Sequence, residues 1–383
     1  MNIMDNLMNV FIQTFGGTGD EIRSFFTPGR INIIGEHIDY NGGYVLPCSL
    51  KMGTHALIRK RGDDTARFAS TNFDLQAEIP LDDVAFDPAH DWANYPKGIV
   101  RLMQDDGHTI GGFDILFSGD IPNAAGLSSS ASIELVTATA LNDVFSLGYE
   151  PIELVKLSQR AENQFCGVNC GIMDQFAVGM GKDGHAIYLH CDTLDYKHVP
   201  LNLGGYTIVV MNTNKRRQLN ESKYNERRSE CEQALAFLLR AKSASTSCQF
   251  DTKLTDLTPE AFAELSHLIP DETLRRRARH VIQENERVKQ AVAALESGDM
   301  ETLGELLNQS HASLRDDYEV TGLELDTLVS EAQKNPVCIG ARMTGAGFGG
   351  CAIALMKKDA VDGFAEGVIA GYEKVVGYAP SLY

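Results

Sequence analysis

Apolar positions along the chain recur first at helical and then at strand spacing, and that alternation predicts most of its elements. Residues 2–15 place Met4, Leu7, Met8, Phe11 and Ile12 on one side of an amphipathic helix. Ser24–Phe26 then extend towards Pro28-Gly29. Ile31 and Ile33 alternate with Arg30 and Asn32, which predicts a strand with one polar face. Gly35 and the polar run Glu36-His37-Ile38-Asp39 read as a loop. Further strands follow to about Ile79, and a helix runs from about Trp92 to Gln104. The apolar run Phe113–Phe117 reads as a strand, and Ile133, Val136, Ala140, Leu141 and Val144 recur at helical spacing behind it. Another helix spans roughly Pro151–Phe165, and one starts within Gly171–Val178. Strands are expected at His185–Cys191 and Tyr206–Met211. Helical patterns then dominate from Glu221 to about Ala332, before strands at Val337–Met343 and Cys351–Met356. Leu203-Gly204-Gly205 interrupts the pattern, so the expected domains are 1–204 and 205–383.

Between the strand at Phe113–Phe117 and the helix behind it lies Gly-Asp-Ile-Pro-Asn-Ala-Ala-Gly-Leu-Ser-Ser-Ser, a loop of small residues. Pro122 stops the strand, Gly126 permits a tight turn, and Ser128, Ser129 and Ser130 are placed to cap the helix. Backbone N–H groups at a helix N-terminus attract phosphate. The same composition also makes an ordinary turn or a capped helix start. Other phosphate loops are excluded: no G-x-x-x-x-G-K-[ST] occurs, Gly181-Lys182 is followed by Asp183, and the H-R-D and D-F-G signatures are absent.

Composition narrows the class. A chain of 383 residues with 43% hydrophobic and 22% charged residues is that of an ordinary two-domain globular enzyme. Its net charge of −18 argues against nucleic-acid or anionic-membrane partners. The one basic cluster, Arg275-Arg276-Arg277 with Arg279, reads as a solvated helix face. Eight cysteines are scattered, and Cys166 with Cys170 lacks the second pair a zinc site needs. The first residues have no signal-peptide pattern and no apolar run reaches membrane-spanning length, so a cytoplasmic, reduced protein is expected.

Several polar groups are candidates for chemistry. Glu36, His37 and Asp39, with Arg30 before them, suit the gripping of several sugar hydroxyls, since carboxylates accept O–H bonds strongly. Each is equally at home in a solvated turn. Glu162 and Asp174 are placed to hold a metal or orient a hydroxyl, or to serve as a surface charge or helix cap, and Tyr224 to bond a ligand or sit half-buried. Gly345-Ala346-Gly347-Phe348-Gly349-Gly350 matches G-x-G-x-x-G in form, but a strand follows it where a dinucleotide fold needs a helix. It reads instead as a tight glycine loop.

Together these stretches resemble the GHMP kinases, and among them the galactokinases. Three motifs carry the likeness in order: Pro28 to Asn41, Pro122 to Ser132, and Met343 to Gly350, joined by Glu162-Asn163-Gln164-Phe165 and Cys170 to Gln175. The resemblance implies an α+β, two-domain GHMP-kinase fold with the active site in the cleft between the domains. It implies ATP-dependent phosphorylation of the C1 hydroxyl of α-D-galactose, the first committed step of galactose breakdown. Glu36, His37, Ile38, Asp39, Gly171 and Tyr224 would bind the sugar. Ala124, Ala125, Gly126, Leu127, Ser128, Ser129 and Ser130 would wrap the ATP phosphates. Ser130 and Glu162 would hold Mg²⁺, Asp174 would be the catalytic base, and Arg30 would lie beside the transferring phosphoryl group. A monomer taking galactose and Mg-ATP is expected.

The sequence departs from the family pattern at Ile38, where Thr is usual, and at Ala346, where Gly is commoner. It ends at Ser381-Leu382-Tyr383, earlier than its relatives, which would clip the last strand. Two rivals stay open: a galactose and ATP sensor without catalysis, and a kinase of N-acetylgalactosamine or another small alcohol. The intact Gly126–Ser132 run favours catalysis over sensing.

Overall fold

The computed structural model describes residues 3–122, 125–215, 220–244 and 252–383. The first elements are α1 (Ile3–Phe15), β1 (Arg23–Asn32), β2 (Tyr44–Val45), β3 (Pro47–Lys60), β4 (Thr65–Ser70), β5 (Ala77–Pro80), α2 (Asn94–Asp105) and β6 (Phe113–Gly119). There follow α3 (Ser129–Phe145), α4 (Pro151–Arg160), α5 (Met173–Met180), β7 (His185–His190), β8 (Tyr196–Pro200) and β9 (Tyr206–Asn212). The remainder is α6 (Asn220–Ala244), α7 (Pro259–Leu265), α8 (Glu272–Ser297), α9 (Met300–Asp316), α10 (Leu323–Lys334), β10 (Cys338–Thr344), β11 (Cys351–Lys357), α11 (Val361–Val376) and β12 (Ser381–Leu382). Two compact units interleave along the sequence. Described residues within 1–30, 49–123 and 128–181 form the first, and those within 31–48, 124–127 and 182–383 the second.

In the first unit β6 pairs antiparallel with β3, Leu116 opposite Leu57, and parallel with β4, Ile115 opposite Phe68. Strand periodicity sends Phe113 and Phe117 to one face, where they meet Phe145 of α3 and Trp92. Leu116 points the other way and joins Leu57, Ala69 and the Leu7 and Phe11 of α1. Both faces are therefore buried, which is why Phe113–Phe117 reads as an apolar run interrupted only by Asp114. Asp114 shares the α1 face and is 1% exposed. Arg59, Arg61 and Arg67 donate to it at 2.9, 3.1 and 2.6 Å. Burial works to raise its carboxyl, and these hydrogen bonds hold it below the usual carboxylate range. Arg59 also reaches the Gly16 carbonyl and Arg67 that of Phe15, cations at the C-terminal end of α1.

The second unit holds an antiparallel sheet in the order β10-β11-β9-β12. Ile353 of β11 lies opposite Arg342 on one side and Val210 on the other. α9 lies on β10 so closely that a Cβ on Gly304 would stand 2.4 Å from the Ile339 carbonyl oxygen. β7 pairs with β2 and β8, and Cys48 at the start of β3 joins it opposite Ala186.

Several expectations change. β1 runs unbroken through Pro28-Gly29, because β1 pairs with β3 alone among the described strands and a missing N–H is tolerated at an edge. Its polar positions are not solvated: Arg30 is 3% and Asn32 0% exposed. The helix expected to reach Phe165 ends at Arg160 and continues as a π-helical turn, Ala161–Phe165. β8 was not anticipated. The basic run of α8 is only partly solvated: Arg277 is 2% exposed and bonded to Glu230, Glu319 and the Asp317 carbonyl. The final residues do form a strand, with Ser381 and Leu382 paired to Asn212 and Met211. All seven cysteines among the described residues are free, and no helix among those residues is long and apolar enough to cross a membrane.

Candidate active site

Arg30 leaves β1 with a side chain 4% exposed, and its guanidinium fork closes on Asp174 in the first turn of α5. Nε donates to Oδ1 at 2.8 Å and Nη2 to Oδ2 at 2.7 Å. Two parallel charge-assisted bonds fix the carboxylate in plane and direction. The Asp174 side chain is nevertheless 31% exposed, so an oriented carboxylate is presented to a ligand. Gly171, buried, precedes α5 by two residues.

The π-helical turn sets Glu162 beside this pair. Its carboxylate accepts from Gln175 Nε2 at 2.6 Å and from the Ser130 hydroxyl, so the two predicted metal ligands meet. Burial, then the Asp174 charge, pushes the Glu162 carboxyl up to about 7. Glu134 of α3 lies on the other side of Gln175, at 3.3 Å from the same amide. It is fully buried, and burial followed by the Glu162 charge raises its carboxyl well above the usual range. One oxygen each of Glu134 and Gln175, and the Ser128 hydroxyl, are buried without a hydrogen-bond partner. Hard oxygen donors in a carboxylate-rich pocket suit a divalent cation such as Mg²⁺, which retains waters and needs few protein ligands. No cluster of three metal-binding side chains occurs among the described residues. Sequence reasoning missed Glu134 and Gln175. A lone charge in the otherwise apolar interior of α3 was the available signal.

Ahead of α3, Gly126 and Ser128 both take left-handed backbone conformations, at φ +76 and +62. Ser128 occupies the N-cap position without making the expected side-chain cap. The reason is conformational: a capping side chain needs an extended backbone, and here it is turned away. Ala125 and Leu127 are buried, Ser129 is exposed and Ser130 half-buried. The amides of the first turn of α3 are thus uncapped by a side chain and aligned with the positive end of its dipole. Ala124 lies outside the described residues.

The second unit carries the other predicted residues. Glu36 is 1% exposed, and all its acceptor positions are taken. Thr344 Oγ1 and the Gly345 amide donate to Oε1 at 3.1 and 2.7 Å. Asn32 Nδ2 and Arg342 Nη2 reach Oε2 at 2.5 and 2.6 Å. Arg342 is fully buried, and also donates to the carbonyls of Asn32 and Ile33. It too was missed, although a lone arginine in an apolar strand needs a buried counter-charge. His37 is 4% exposed, with Nδ1 on the Tyr40 hydroxyl at 2.9 Å and Nε2 on the Ala346 carbonyl at 3.1 Å. Burial, then His280, lowers its pKa to about 3. Ile38 is wholly buried, and its carbonyl accepts from the Asn41 and Gly43 amides, so it shapes the loop from within. Asp39 and Tyr224 are half-buried, with the Tyr224 ring 5.5 Å from His37 and 5.3 Å from Tyr40. The structure therefore makes Glu36, His37 and Ile38 a frame, and Asp39 and Tyr224 its accessible groups.

Three family models match the chain. The GHMP kinases N terminal domain matches residues 94–182, the galactokinase galactose-binding signature 9–60 and the GHMP kinases C terminal domain 291–374. The galactokinase of Clostridium tetani is 52% identical over the whole of this chain and 95% of its own length. That of Exiguobacterium sibiricum is 52% identical over 98% of this chain and 95% of its own. The crystal structure of Lactococcus lactis galactokinase complexed with galactose superposes with a TM-score of 0.95 at 49% identity, covering 100% of this chain and 97% of that one. Methanococcus jannaschii mevalonate kinase, at 16% identity and a TM-score of 0.64, shares the fold.

Proposed function

This chain belongs to the galactokinase family of the GHMP kinases, and from that premise we propose how its residues transfer the γ-phosphoryl group of ATP to the C1 hydroxyl of galactose. It is a kinase using ATP and a small-molecule acceptor. The observation that carries the proposal is the bidentate Arg30–Asp174 pair with its carboxylate open to a ligand.

The C1 oxygen forms a bond to the γ-phosphorus as the bond from that phosphorus to the β,γ-bridging oxygen breaks. Asp174 accepts the hydroxyl proton and ADP leaves. Phosphoryl transfer needs alignment and neutralised charge more than covalent participation. Arg30 supplies one positive charge while holding Asp174 in line. The amides and dipole at the N-terminus of α3, with Ala125 to Ser130, bind the phosphates. Ser130 and Glu162 would hold Mg²⁺, which when bound would supply further neutralisation of phosphate charge. Asp39 and Tyr224 take sugar hydroxyls, Gly171 leaves room for the ring, and Glu36, His37 and Ile38 keep that loop in shape. We place the protein in the cytoplasm, where ATP is made available to it.

The test is ADP release with Mg-ATP against galactose, glucose, N-acetylgalactosamine and mevalonate, with the product identified by ³¹P NMR. Galactose-dependent turnover giving a C1 phosphate is the expected outcome. Turnover on another acceptor alone, or galactose binding without turnover, would overturn the proposal.

A further inference from the structure

Behind the sugar loop the second unit carries a chain of polar groups whose proton order follows from one of its ends. His37 Nε2 faces the Ala346 carbonyl, which can only accept, so Nε2 bears the hydrogen. The ring is buried and no carboxylate among the described residues is bonded to it, while His280, Arg227 and Arg342 all disfavour a second proton. His37 is therefore neutral, and its bare Nδ1 accepts from the Tyr40 hydroxyl at 2.9 Å. Having spent its proton, Tyr40 accepts from Tyr318, 2.8 Å away. Tyr318 in turn accepts from the Cys231 thiol at 3.1 Å, whose sulfur is bonded by the Asn41 amide. Each donor has one acceptor, and the chain runs one way.

Tyr318 is the centre of this arrangement. It is 0% exposed, and its ring lies 5.0 Å from that of His37 and 4.5 Å from that of His280. His280 is ordered by the same logic: Nε2 donates to the Glu36 carbonyl at 3.1 Å, and Nδ1 accepts from the Ser313 hydroxyl at 2.9 Å. One histidine thus pins the start of the sugar loop and the other ties it to the glycine loop at Ala346. Tyr318 packs on both. Arg227 holds the tyrosine's own carbonyl at 2.8 Å.

We propose that Tyr318 is a positioning residue for the sugar: its hydroxyl donates to Tyr40 and, through Tyr40 and His37, fixes the loop that presents Asp39 and the ring face on which Tyr224 rests. The proposal rests on the assignment of that loop to the sugar. It adds a residue that touches no substrate and lies nearly 280 positions further along the sequence.

The first test needs no substrate, and a variant only to assign the signal. NMR of the full chain labelled with ¹⁵N-histidine, with His37 identified by its loss in His37→Gln, is expected to show His37 as the Nε2–H tautomer. The Nδ1–H tautomer would reverse the chain and overturn the proposal. The second test is kinetic. Tyr318→Phe keeps the ring and is expected to raise the KM for galactose about fivefold, as for one lost hydrogen bond, with kcat and the KM for ATP unchanged. A role confined to stability would reduce the folded fraction and kcat and leave KM alone, so that pattern overturns the proposal, as does an unchanged KM. Cys231→Ala removes only the far end of the chain and is expected to match the wild type. Should Tyr318→Phe not fold, Tyr40→Phe carries the kinetic test with the same expected rise. Wild-type turnover of galactose in the same assay tests the sugar assignment separately, since the tautomer does not depend on it.

Discussion

Asp174 owes its orientation to one arginine, and the two roles separate by substitution. Asp174→Asn keeps the shape and one acceptor oxygen for Arg30, gives up the second of the two Arg30 bonds, and removes the proton acceptor. It is expected to lower kcat by about 10²- to 10⁴-fold while calorimetry still detects galactose binding. Near-normal kcat would remove Asp174 from the mechanism. Ser130→Ala takes one hard oxygen from beside Glu162 and is expected to shift the Mg²⁺ titration of activity to higher concentration. An unmoved titration would contradict its role as a ligand. Arg30 and Asp174 were legible in the sequence through the motifs that contain them. The fate of Glu36 was not, because Arg342, Thr344 and Gly345 lie about three hundred residues away and a linear pattern does not show which groups a buried carboxylate will meet. A carboxylate that looks free in a polar loop became the best-bonded group in it.

Among the elements, long periodic segments were legible and the sites of local exception were not. α8 and α9 lie within the stretch from Glu221 to about Ala332 expected to be helical, since sustained amphipathic spacing over many turns is a strong signal. The π-helical turn carrying Glu162 leaves no trace in spacing, yet it sets the direction of that side chain. β8 is short and half polar, and its pairing to β7 makes it a strand. Close approach is equally silent. Gly304→Ala would drive a methyl group into the Ile339 carbonyl and is expected to cost about 1–3 kcal/mol of stability, read as a lower midpoint in urea. A midpoint equal to the wild type would mean that α9 can move away from β10 freely.

At the scale of the whole molecule, acid sensitivity follows from the buried histidines. Burial lowers His37 to about 3 and His280 to about 4, against an ordinary value of 6.5. Arg227 and Arg342 reinforce this for His37, and Arg287 and Arg342 for His280, where Glu284 opposes it. The unfolded chain therefore binds more protons between pH 6.5 and 4, so stability is full above 6.5 and is lost as the pH falls through that window. Glu284 adds to the loss below pH 4.5: burial would raise it, but Arg287, His280 and Arg342 hold it at about 2. His280→Gln is expected to make the fall in Tm between pH 6.5 and 4 shallower than in the wild type. An equal slope would mean that His280 titrates normally. Composition foretold a globular enzyme, but not that residues 31–48 belong by their contacts with the C-terminal portion of the chain.

That interleaving has a consequence for inheritance. A gene exchange that joins the first 181 codons of one parent to the remainder of another looks clean on a linear map. It nevertheless hands the offspring a Glu36 loop from one lineage and, from the other, the Arg342 and His280 that must hold it. Such hybrids inherit a broken set unless the eighteen codons for 31–48 travel with the second parent. The codons for this loop are thus tied to codons some 240 to 310 positions downstream, and the chain is passed on most safely whole.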